Sequence, residues 1–141
     1  MHDLKYIREN PADFDAALLR RGAEPVAASI LVLDENRRAI LTEMQNAQAR
    51  RNDASKSIGA AMGKGDTATA EALKAEVAQL KDVLPQLEER ERAAGLELDA
   101  LLAALPNLPS ADTPNGADET ENVEIARWGK PRDFDFEPRD H

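Results

Sequence analysis

The sequence contains no cysteine, so disulfides and thiolate metal sites are excluded. Its two histidines, His2 and His141, sit at opposite ends of the chain. That separation argues against a histidine zinc site or a Ser-His-Asp arrangement. Aromatic residues are scarce: Tyr6, Phe14, Trp128, Phe134 and Phe136 are all that 141 residues provide. They are too few for a conventional compact core. No apolar run approaches the roughly 20 residues that span a bilayer, and the opening MHDLKYIREN lacks the apolar stretch of a signal peptide. A membrane is not an expected partner, and the cytoplasm is the expected compartment. No glycine-rich loop follows a strand pattern. The clustered acids Glu88, Glu89 and Glu91 stand beside Arg90 and Arg92, the pattern of solvated ion pairs on a helix face. Neither a catalytic residue nor a bound cofactor or metal is expected within the chain.

What the sequence does hold is alanine, leucine, glutamate, lysine and arginine, a composition that favours long helices or a coiled coil. Two short helices are expected within residues 3–21. Asp3 caps the first. Asn10 followed by Pro11 starts the second, whose apolar face is Phe14, Leu18 and Leu19 and whose exit is Gly22. Heptad spacing then begins. Ile30, Leu33, Arg37, Ile40, Met44, Ala47, Arg51, Ala54, Ile58 and Ala61 alternate steps of three and four, and only the two arginines are not apolar. A second run holds Leu73, Val77, Leu80, Leu84, Leu87, Glu91, Ala94, Leu98, Leu101 and Leu105, broken only by Glu91. Such seams specify a coiled coil.

Gly63-Lys64-Gly65-Asp66 separates the two runs and forces an antiparallel return. The expected fold is therefore all-α: a long antiparallel two-helix coiled-coil hairpin with short N-terminal helices and an extended C-terminal tail. The long helices should cover about 26–62 and 67–105, each about 54 Å long at about 1.5 Å per residue. Pro85 removes one backbone hydrogen bond inside the second helix and predicts a kink near 81–85 without a break. Residues 1–105 form the arm domain. Residues 106–122, with Pro106, Pro109, Pro114 and Gly116, read as an extended linker. The alternation of Val123, Ile125 and Arg127 suggests a short strand. Trp128, Phe134 and Phe136 have no periodic partner; either the tail folds back on the base of the arm or, the favoured reading, it packs on something outside this chain.

The net charge of −9 argues globally against nucleic acid. Its distribution does not. Residues 50–64 are the one positive stretch, through Arg50, Arg51, Lys56 and Lys64 against Asp53. Screening confines each charge to about 10 Å, so this patch can still attract a polyanion. Within QARRNDASKSIG (residues 48–59), Arg50, Arg51, Asn52, Ser55 and Lys56 gather donors suited to phosphates and 2′-hydroxyls. Arg51 occupies a seam position, so its stem packs while its head reaches out. With Lys64, these residues are the candidate RNA-binding set. Charge reversal at Arg50 or Lys56 is expected to weaken RNA binding and leave helicity intact. The competing reading is a helical scaffold for protein partners with no RNA role.

Four segments, in order, resemble the N-terminal region of bacterial seryl-tRNA synthetases: DLKYIRENP with the later RRG, RRNDASKSIG, LPNLP, and NVEIARWGKPRDFDFEPRDH. They span nearly the whole chain. The resemblance implies a helical arm that grips the long variable arm and elbow of serine tRNA. It also implies a parent class II enzyme, a homodimer, that attaches serine using ATP and magnesium. The catalytic domain would begin where this chain stops, with residues 106–141 as linker and lead-in. No catalytic residue is then assignable here. The tail aromatics would pack on that domain, and the fragment alone could be a monomer.

Overall fold

The computed structural model describes residues 2–130, 132–137 and 139. Asp140 and His141, part of the tail segment named above, lie outside them. Four α-helices form in order: α1 (Leu4–Glu9), α2 (Pro11–Leu19), α3 (Ala27–Gly63) and α4 (Thr67–Ala104). The chain divides into two compact units, one ending at Pro109 and one beginning at Ser110.

In the first unit, α3 and α4 pair antiparallel along their length. The 37 residues of α3 make a rod about 55 Å long. Each of the twenty heptad positions is buried or half-buried, and the intervening positions are mostly exposed. Two of the seam's three charged residues, Arg37 and Glu91, meet with opposite signs: Arg37 Nε donates to Glu91 Oε1 at 2.9 Å. Gly95 lies beside this pair: a Cβ there would stand 3.5 Å from the Arg37 guanidinium, in ordinary contact with it. Helix α4 runs without interruption through Pro85. Buried Leu84 and Leu87 flank the proline and hold it on the outer side of a packed helix. There the orphaned Lys81 carbonyl, on an exposed residue, can turn to water.

The hydrophobic core sits at the base of the hairpin. Ile7, Phe14 and Leu18 from the short helices are fully buried against Ala27, Ile30, Leu98 and Leu102. The Asp15 carboxylate accepts from the backbone N–H groups of Val26 and Ala27, both at 2.9 Å. It therefore caps α3, whose own N-cap residue, Val26, has no side-chain acceptor. Asn10 departs from expectation. Its side chain makes no cap bond to α2 and instead donates to the Tyr6 carbonyl at 3.3 Å, closing α1.

The turn at the far end follows from Gly65, whose φ of 73° is open to glycine and strained for other residues. Asp66 N–H reaches the Ala61 carbonyl and Gly65 N–H the Met62 carbonyl, a Schellman ending. Asp66 then caps α4 by accepting from Thr69 N–H at 3.0 Å. Two residues thus close one helix and open the next.

The second unit holds a 3-10 turn, Glu119–Glu121, where a plain extended linker was expected. The suggested strand at 123–127 does not form: those residues are irregular. Among the described residues no second strand is present to complete a ladder, and an isolated strand leaves its backbone groups unpaired. Arg127 instead forms a forked ion pair with Glu124, three residues earlier. Ile125 and Trp128 are almost fully exposed, at 95% and 99%.

Candidate nucleic-acid interface

The segment 48–59 lies in the distal half of α3, and helical geometry separates its residues. Asn52 and Lys56 are four apart and share a ridge, which Gly59 and Gly63 continue. All four are exposed, on the side away from the buried seam. A Cβ added at Gly59 or Gly63 would meet nothing within 4 Å, so the ridge stays low and accessible beyond Lys56. Lys56 enters no ion pair among the described residues. Lys64 follows eight residues later, about 12 Å along the axis. It closes α3 through its backbone N–H, where a cation also complements the helix dipole.

The other candidates are engaged within the arm. Arg50 reaches across to α4 and grips the Glu76 carboxylate with two donors, Nε on one oxygen and Nη2 on the other, the latter at 2.7 Å. Hydrogen bonding to Glu76, and then its negative charge, raises the Arg50 pKa above its usual value. Arg51 is half-buried in the seam beside buried Ala54. Ser55 donates its hydroxyl to the Arg51 carbonyl at 2.8 Å. Only its oxygen lone pairs remain available, and they can accept from a 2′-hydroxyl.

A groove of about 380 Å³ opens beside the ridge, lined by Met44, Gln45, Gln48, Ala49, Asn52 and Glu88. Of these, Asn52 alone belongs to the candidate set read from the sequence. Met44 had been assigned to the seam, and Glu88 comes from α4, so the groove exists only once the two helices are in register. The spacing of Gln45, Gln48 and Asn52 on one helix face was the available signal.

The resolved pKa displacements share one kind of cause. Hydrogen bonding lowers Asp66, Asp112 and Asp118 at turns and helix starts; the side-chain hydrogen bond to a neighbour of opposite charge lowers Glu89 and raises Arg92 and Arg127. Each is an exposed local contact. The distal arm offers amides, an ammonium and an open helix surface, groups that bind a polyanion and its sugar hydroxyls.

Comparison with known proteins agrees with this geometry. Residues 1–109 match the family described as the seryl-tRNA synthetase N-terminal domain. The serine–tRNA ligase of Novosphingobium aromaticivorans is 65% identical over all 141 residues, which cover 33% of that ligase. That of Erythrobacter litoralis is 60% identical over the same span, again 33% of its length. The chain thus spans about a third of the length of the curated relatives it matches. The crystal structure of seryl-tRNA synthetase from Pyrococcus horikoshii complexed with ATP superposes with a TM-score of 0.79 at 32% identity, over 92% of this chain and 29% of that one. The helical hairpin thus has its counterpart in that structure, and the chain belongs to the seryl-tRNA synthetase N-terminal domain family.

Proposed function

We propose that this chain is the arm with which a serine–tRNA ligase holds its tRNA, reading the long variable arm and elbow by backbone shape and charge. The observation that carries the reading is the accessible Asn52–Lys56 ridge on a stiff hairpin. Lys56 supplies a phosphate contact, Asn52 and the Ser55 oxygen address sugar hydroxyls, and Lys64 adds charge near the turn. Arg51 supports the ridge from the seam, its stem packed and its head toward solvent. ATP, magnesium and serine belong to the ligase's catalytic domain, as does most of the homodimer interface. The exposed Trp128, Phe134 and Phe136 pack on that domain.

The test is a titration of the chain with serine tRNA and with a tRNA of short variable loop, near 50 and near 200 mM salt. Serine tRNA should bind more tightly. For two or three phosphate contacts its affinity should fall roughly tenfold to fortyfold between those conditions. Negligible or equal binding of both RNAs, insensitive to salt, would favour the protein-scaffold alternative.

A further inference from the structure

Apolar support thins along the arm. At the base Phe14, Ile30 and Leu98 are fully buried, and in the middle Ile40, Leu84 and Leu87 are buried. Beyond residue 50 of α3 the buried seam residues are Ala54 and Ala61, with Ala70 opposite on α4. Ile58, Leu73 and Val77 are half-buried. An alanine methyl removes far less apolar area from water than a leucine side chain, and hydrophobic stabilisation scales with that area. The outer part of the hairpin is thus the part that opens most readily, and it is also the part that carries the ridge.

Three ion pairs join the two long helices: Arg37–Glu91, Glu43–Arg90 and Arg50–Glu76. The first two lie nearer the base. The third is the outermost among the described residues, and it stands where leucine gives way to alanine. It is also forked, with two guanidinium donors on two carboxylate oxygens, the geometry in which an arginine pair is strongest and most directional. An approaching phosphate would find that guanidinium edge occupied and the Glu76 charge beside it.

We propose that Arg50–Glu76 is a clasp that keeps the outer hairpin closed, and that Arg50 is a positioning residue for RNA, acting through Glu76 and making no phosphate contact. The clasp stands on the packing and ion-pair geometry alone. The RNA role rests on the tRNA-arm reading above. It reassigns Arg50 from the contact set and leaves the neighbouring charge, Lys56, to meet the phosphate.

Two measurements on the 141-residue chain test this. In the first, backbone hydrogen exchange is compared for the unaltered protein, Arg50→Gln, Glu76→Gln and the reversed pair Arg50→Glu with Glu76→Arg. Each single variant should speed exchange in residues 51–63 and 67–75 by about two- to fivefold, the range an exposed ion pair supports. Amides near Leu98 should not change, and the reversed pair should return the outer amides toward their original rates. Unchanged outer exchange in both single variants overturns the clasp. The second measurement is the salt dependence of serine tRNA binding. Lys56→Gln should reduce the slope of log K against log salt by about one, as loss of a phosphate contact does. Arg50→Gln should weaken binding and keep the slope. An equal loss of slope in Arg50→Gln makes Arg50 a phosphate contact and overturns the positioning role. If the unaltered chain does not bind the tRNA, the positioning role falls with the RNA reading, and exchange alone decides the clasp.

Discussion

Asp15 illustrates how much one carboxylate does in this arm. It lies on α2, yet it receives the first two N–H groups of the segment that becomes α3. Those donors have no helical partner of their own, and Val26 brings no oxygen to the cap position. Asp15→Ala should therefore destabilise the chain by about 1–2 kcal/mol, the cost of losing a good cap, read as a lower urea midpoint. Asp15→Asn keeps the acceptor and should recover most of the loss. A stability for Asp15→Ala equal to that of the unaltered chain would show that water replaces the carboxylate without cost. Nothing in the local sequence marked this residue, because its partners lie 11 and 12 positions away. Asn10 shows the converse. It sat in the right place before Pro11 to cap α2, and its amide turned back to α1.

At the scale of the element, the turn between the long helices carries a pH dependence with a definite sign. Thr69, with its side chain first and its backbone N–H second, holds the Asp66 carboxyl below its ordinary value of 3.8. A carboxylate depressed in the folded state stabilises it above the unfolded pKa, and that contribution is lost as pH falls through the folded one. Cap protection at the start of α4 should therefore be complete near neutrality and decline below about pH 4. Exchange rates at Thr67–Ala70 measured down the acid range will show it. In Asp66→Asn, which caps without titrating, the decline should be smaller. An equal decline in both proteins would assign the acid sensitivity to other carboxylates. The long helices and their reversal were legible because periodicity and glycine placement are local signals. The groove at Met44 and Glu88 and the Arg50–Glu76 pair were not, because each joins residues from two helices whose register the sequence leaves implicit. The strand suggested at 123–127 failed for a related reason: alternation marks a strand only when another strand is there to receive it.

For the whole molecule, what matters is that the arm cannot slide along itself. Moving one long helix by seven residues would preserve the leucine and alanine stripes almost unchanged. It would, however, set Arg37 against Leu84 or Leu98 and Glu91 against Ile30 or Met44. Each misfit strips a charge of its partner at a cost of about 1–3 kcal/mol. The pair thus works as a tooth in a notch and fixes how far the tip stands from the base. The arm's reach can then be altered only in matched heptads. Deleting residues 41–47 together with 84–90 should give a cooperatively melting hairpin shorter by about 10 Å, with Lys56 and the clasp retained but drawn in toward the base. Deleting 41–47 alone should lower the melting temperature sharply. If the two deletions melt alike, the notch does not set the span. If they differ, arms of graded length can be cut from this one to ask how much reach the RNA demands.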